Sequence, residues 1–302
     1  MERNPKHIET ISEYNEMLGL PTVHPMVSVI DLSLSRRLRH MRNTFGFYVV
    51  FLKEAMCGDL IYGRSRYDYA EGTVVCLAPG QVIGVEDNGE EFQPRGWALC
   101  FHPDFIRGTT LGKHMREYTF FSYEVNEALH LSAEERATFT DCLSRIGSEL
   151  NSGGDRLSRR LITANIELLM DYCLRFYERQ FDTRHFMNTD LLVRFENLLE
   201  NYLSSRILIV DGLPTVGWCA SELCLSPNYF GDLIKRDTGR TAQEYIQRKV
   251  IDTAKEKILS PGCSISQIAY ELGFQYPQHF TRLFKKVTGV TPSEYRVGLT
   301  AV

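Results

Sequence analysis

The sequence predicts an α+β chain. An N-terminal antiparallel β-barrel with a helical appendage is followed by an all-α domain of two helix-turn-helix units joined by a long helix. Three observations carry this. Residues 23–125 hold short runs of β-branched and aromatic residues divided by turn formers. From Ser132 onward, apolar residues recur at helical spacing. The last third of the chain shows one pattern twice, about fifty residues apart.

Residues 1–20 are expected as a short helix or a loose arm. Strands are expected at 27–34, 46–52, 59–62, 73–77 and 97–101. Turn clusters separate them, at Cys57-Gly58-Asp59, Ala70-Glu71-Gly72, Ala78-Pro79-Gly80 and Asp87-Asn88-Gly89-Glu90. Several short strands spaced in this way indicate a sandwich or barrel. Ser132 and Glu135 have the spacing of a capping box, which satisfies the orphan donors of a helix start. Phe139, Cys142, Leu143, Ile146 and Leu150 then share one helical face, which Asn151-Ser152-Gly153-Gly154 ends. Leu157, Leu161, Ile162, Ile166, Leu169, Cys173, Leu174 and Tyr177 predict a second, longer helix. Residues 181–188 read as a linker. Leu191, Leu192, Phe195, Leu198, Leu199 and Tyr202 define a helix over 191–203, and Asp211-Gly212-Leu213-Pro214 reads as a turn.

The duplicated pattern follows. Ala220, Glu222 and Leu223 recur as Ala269, Glu271 and Leu272. Phe230 stands nine residues before Gly239, as Phe280 does before Gly289. Thr241, Glu244 and Tyr245 return fifty residues later as Thr291, Glu294 and Tyr295, so two further capping boxes are expected. Ser264 and Gln267 make another, and Ser226-Pro227 is an N-cap with proline at the first helical position. The units are expected at about 215–239 and 264–289, joined by one helix over 241–260 that carries Ala242, Tyr245, Ile246, Val250, Ala254, Ile258 and Leu259.

In the downstream unit, Gly273 stands where a helix ends in a left-handed residue. Phe280, Leu283, Phe284 and Val287 repeat at i, i+3, i+4 and i+7, one apolar face. The other face carries Gln278, His279, Arg282, Lys285 and Lys286. A major-groove reader needs this layout, with amide and cationic donors near the helix start. A single such helix also fits an ordinary solvated basic face. Two on one rod suit adjacent major-groove faces, roughly 34 Å apart.

The repeat pair, with the runs IAYELGF, FTRLFKK and TGVTPSEYR, resembles the DNA-binding domain of AraC/XylS-type transcription regulators over about the last hundred residues. The resemblance implies a sequence-specific regulator, expected as an activator in the cytoplasm, with double-stranded promoter DNA and RNA polymerase as partners. It implies base contacts from Gln278, His279 and Arg282, and in the first reading helix from Asn228 and Asp232. Gly231 beside them offers no side chain. Phosphates are expected at Ser226, Tyr229, Lys235, Arg236, Lys285 and Lys286. The turns flanking the apolar run 73–77 are similar to those of small cupin-like barrels, which such regulators commonly carry as effector sensors. The implied domains are a sensor barrel at 1–130, a helical segment and linker at 131–186, and the DNA-binding domain at 189–302. The two helices after the barrel resemble dimerisation helices, so a homodimer is expected; packing on the barrel is the alternative. A small-molecule effector pocket would take Tyr48, Phe51, Tyr62 and Trp97, which read equally as core. Arg64 and Arg66 suit an anionic effector or a solvated surface. Two rival readings stay open: a ligand-independent regulator whose barrel only dimerises, and a cupin enzyme with a DNA-binding appendage.

Composition bounds these readings. Hydrophobic content of 43% and charged content of 24% suit a soluble globular protein. No apolar run approaches the roughly 20 residues of a membrane span, and MERNPKHIET lacks the apolar centre of a signal peptide. Eight cysteines form no C-x-x-C pair and read as reduced core residues. The net charge of −4 divides unevenly: residues 207–302 hold 11 Lys and Arg against 9 Asp and Glu, a balance of +2, and the rest 23 against 29, a balance of −6. No histidines stand as H-x-H or H-x-x-x-H, so neither metal, cofactor nor catalysis is expected.

Overall fold

The computed structural model describes residues 5–53, 72–84, 91–124, 127–183, 185–205, 207–259 and 263–300. The strand expected at 59–62, with Tyr62, Arg64 and Arg66, lies outside them. Contacts divide the chain into two compact units, residues 1–183 and 184–302. Among the described residues the first is mixed α and β, and the second has helices and no strands.

Unit 1 opens with β1 (Lys6–Ile8), α1 (Ile11–Leu18), β2 (Val27–Asp31), β3 (Leu38–Arg39), β4 (Asn43–Phe45) and β5 (Tyr48–Lys53). It continues with β6 (Thr73–Leu77), β7 (Val82–Ile83), β8 (Glu91–Phe92) and β9 (Gly96–Phe101). Then come α2 (Pro103–Ile106), α3 (Thr110–His114), β10 (Leu129–His130), α4 (Ala133–Asn151) and α5 (Ser158–Thr183). The main sheet is antiparallel, in the order β10-β6-β5-β9-β2. Among the described residues the strands form three separate sheets, and the main one ends in two edges, so the expected closed barrel is not formed by them.

The strand period sorts the side chains of the main sheet. Val49, Val75, Leu77, Ala98 and Cys100 join Ile11, Tyr14, Leu18, Phe45 and Phe47 in one core cluster. The alternate residues turn to the other face, where Tyr48 stacks on Phe101 (5.0 Å) and meets Phe121 edge-on (5.1 Å). There α4 packs on β2 and α5 on β10. Both halves of the Ser132–Glu135 capping box form at the start of α4. Along α5, Ile162, Ile166, Leu169, Cys173 and Tyr177 are buried, while Leu161, Leu168 and Leu174, and Leu157 just before the helix, are exposed. The apolar pattern of this helix therefore serves two faces, only one of which packs within the unit.

Unit 2 runs α6 (His185–Ser204), α7 (Ile207–Asp211), α8 (Val216–Glu222), α9 (Pro227–Thr238), α10 (Ala242–Leu259), α11 (Ile265–Glu271), α12 (Pro277–Thr288) and α13 (Pro292–Thr300). The residues expected as a linker at 181–188 are helical on both sides of residue 184. α10 is the axle. Its buried Ala242, Ile246, Val250, Ile251, Ala254 and Ile258 meet α6, α9, α11, α12 and α13. Each buried isoleucine or valine among them contributes about 1.5–3 kcal/mol, far more than any helix propensity along the rod.

Candidate nucleic-acid interface and effector cavity

Local sequence builds each reading helix. At α9, Pro227 fills the first position and the Ser226 hydroxyl accepts the Tyr229 N–H at 3.3 Å. Phe230 is fully buried and meets Phe195 edge-on at 4.9 Å. At α12, Phe280 and Phe284 are fully buried in an edge-to-face run from Phe274 to Tyr295. Leu283 and Val287, expected on the same face, are half-buried. The capping boxes start the neighbouring helices. Thr241 and Thr291 N–H groups donate to Glu244 and Glu294 at 3.0 and 2.7 Å. These bonds hold both carboxyls below their ordinary pKa.

With the phenylalanines turned inward, Gln278, His279, Arg282, Lys285 and Lys286 are all exposed on α12. On α9, Asn228 and Lys235 are exposed and Asp232 is half-buried. A Cβ added at Gly231 would meet nothing within 4 Å, so that side of α9 is open. Three expected phosphate contacts are placed otherwise. Ser226 is 2% exposed and Tyr229 5%, because the cap and the core use them. The Arg236 side chain is only 24% exposed and lies 3.5 Å from the Asp237 carboxylate.

Two placements had no signal in the residue pattern. Gly273 has φ +77°, and a Cβ there would stand 2.3 Å from the Leu208 carbonyl oxygen, so α7 packs directly on the turn of the second unit. Its counterpart in the first unit is Cys224, a non-glycine residue at φ +58°. Tyr245 binds α6 to α10 by donating to the Glu196 carboxylate. Burial and that neighbouring carboxylate push the phenol well above its ordinary pKa.

Unit 1 contains a cavity of about 170 Å³. Leu32, Leu38, Phe45, Phe51, Ile83 and Phe92 line it with Arg39, Lys53 and Arg95. Of the expected pocket residues, Phe51 lines this cavity; Tyr48 and Trp97 do not. Strand alternation is the reason: residues 48 and 51 of one strand point to opposite faces, and Trp97 pairs with Leu52, not Phe51. Asn43, also on the lining, keeps its side-chain oxygen buried without a hydrogen-bond partner among the described residues. His102 caps α2, its Nδ1 accepting the Asp104 N–H. Among the described residues no group of His, Cys, Asp or Glu could hold a metal, and no helix is long and apolar enough to cross a membrane.

Residues 219–297 match a family model described as a helix-turn-helix domain. Over 97 residues the chain is 32% identical to the arabinose operon regulatory protein of Escherichia coli, covering 32% of each chain. The chain carries an AraC-type DNA-binding domain. This AraC-type domain is also 40% identical over 82 residues to the transcriptional regulatory protein YesN of Bacillus subtilis, which is 26% of this chain and 22% of that protein. The match thus spans about a fifth of the length of YesN. Outside the AraC-type domain, similarity continues to the probable transcriptional regulator LumQ of Photobacterium leiognathi, 24% identical over 78% of this chain and 86% of that one. All three relatives are named as regulatory proteins, YesN and LumQ as transcriptional ones.

Proposed function

We propose that this protein is a promoter-binding transcription activator of the cytoplasm, with both reading helices on DNA and an effector site in unit 1. The observation that carries the reading is α12, whose five exposed amide, imidazole and cationic side chains stand on a helix anchored by two buried phenylalanines. Gln278, His279 and Arg282 read base edges, and Lys285 and Lys286 hold phosphates. On α9, Asn228 and Asp232 are the base-facing side chains and Lys235 the phosphate contact. Asp232 and the open Gly231 leave this helix few donors, so it positions more than it reads. Activation works through contact with RNA polymerase.

The effector fits the cavity of unit 1. Apolar walls with Arg39, Lys53 and Arg95 among the lining residues suit a small, largely apolar molecule with an anionic group. The exposed leucines of α5 favour a homodimer, with or without effector.

Selection of genomic fragments by the purified protein tests the reading. Two conserved blocks about one helical turn apart are expected. Arg282→Ala is expected to cost roughly 1–3 kcal/mol on the selected site and to relax one base position. Equal discrimination between that site and random DNA in the variant removes Arg282 from base reading.

A further inference from the structure

We propose that Tyr276 is a specificity-determining residue, its ring packing on the C5-methyl group of a thymine; the inference rests on the DNA-binding role of α12 proposed above. Tyr276 occupies the N-cap of α12, directly before Pro277. Short polar residues belong there, because their oxygens accept from the first free N–H groups of the helix. In the same unit Thr215, Ser226 and Ser264 all do so, for α8, α9 and α11. Tyr276 makes no cap bond. The start of α12 therefore forgoes a stabilising bond that its counterpart α9 has.

The side chain set there instead is large, aromatic and 55% exposed. Its ring meets His279 edge-on, with centroids 5.5 Å apart and planes at 66°. This contact ties the ring to the first turn of α12, beside exposed Gln278 and His279. The N-terminal residues of a reading helix are those that contact base edges in the major groove. The one apolar feature of that groove is the thymine methyl, which aromatic and methyl-bearing side chains recognise. An exposed ring at this tip fits that group, and a phenyl ring fits it as well.

The test uses the full-length protein and the site it selects. Tyr276→Ser restores a cap, so thermal melting shows a fold at least as stable as the natural one. Its affinity for the selected site is expected to fall about tenfold, with binding to random DNA unchanged. Tyr276→Phe is expected to bind like the natural protein. Replacing thymines by deoxyuridine, one at a time, removes only methyl groups. One position is expected to weaken the natural protein by a similar factor and to leave Tyr276→Ser unaffected. Undiminished selectivity in Tyr276→Ser overturns the proposal. So does a loss shared by Tyr276→Phe and insensitive to every methyl, which assigns the hydroxyl to a phosphate. A natural protein with no preferred site overturns the DNA-binding reading itself, a different result from either.

Discussion

At the residue scale, two equivalent turn positions are solved differently. Gly273 combines φ +77° with a Cβ position 2.3 Å from the Leu208 carbonyl oxygen. The left-handed conformation alone costs a non-glycine residue about 1–2 kcal/mol, and the backbone clash adds to it. Gly273→Ala is expected to destabilise unit 2 by at least ~2 kcal/mol in urea denaturation; a smaller loss means that α7 moves aside freely. Cys224 accepts the same conformation, at φ +58°, with an exposed side chain. Cys224→Gly relieves that strain against the extra chain entropy of glycine, and a net gain of about 0.5 kcal/mol is expected in the same measurement. A net loss shows that the thiol makes a contact worth more than the strain. The spacing alone identifies Gly273 as a helix-ending residue. That it is also a seat for α7 depends on a chain crossing about sixty-five residues away in sequence, which no local pattern encodes.

At the element scale, capping connects sequence to pH. The backbone and side-chain bonds of Thr241 and Thr291 hold the Glu244 and Glu294 carboxyls below their ordinary value of 4.5. A carboxyl depressed on folding stabilises the fold above its unfolded pKa and loses that contribution as pH falls through the folded value. Unit 2 is therefore expected to lose stability as pH drops below 4.5. The double variant Glu244→Gln, Glu294→Gln is expected to show a shallower acid limb in denaturant titrations; an unchanged limb places the titrating groups elsewhere. These boxes were legible because their spacing is local. The pocket was not. Tyr48 and Phe51 are both aromatic and close in sequence, yet a strand turns residues three apart to opposite faces, and only the register with Trp97 and Ala98 shows which face holds the cavity.

At the scale of the whole molecule, the exposed leucines of unit 1 carry the proposal of a dimer. Leu161 and Leu168 are one heptad apart on α5, 46% and 44% exposed, with Leu157 four residues before Leu161. Burying each of them against a second copy gains on the order of 1–2 kcal/mol. The variant Leu161→Asp, Leu168→Asp is expected to sediment as a folded monomer and to bind a two-site operator more weakly. A dimer that survives both changes places the interface elsewhere. Charge points the same way: a balance of only +2 in residues 207–302 makes weak non-specific binding, so a second copy adds what electrostatics does not.

The sequence by itself determined the elements whose causes lie within a few residues. These are α4 and the capped helices of the repeated pattern, the strands at 73–77 and 97–101, the duplication about α10, and the polar face of α12. Short-range hydrogen bonding and hydrophobic period suffice for all of them. Tertiary structure decided which of those residues remain available for function. Packing withdrew Ser226 and Tyr229 from the surface, half-buried Arg236 beside Asp237, turned Tyr48 and Trp97 away from the cavity, and left Tyr276 and the α5 leucines exposed. Exposure is a property of what packs against a residue from elsewhere in the chain, and identity and spacing do not contain it.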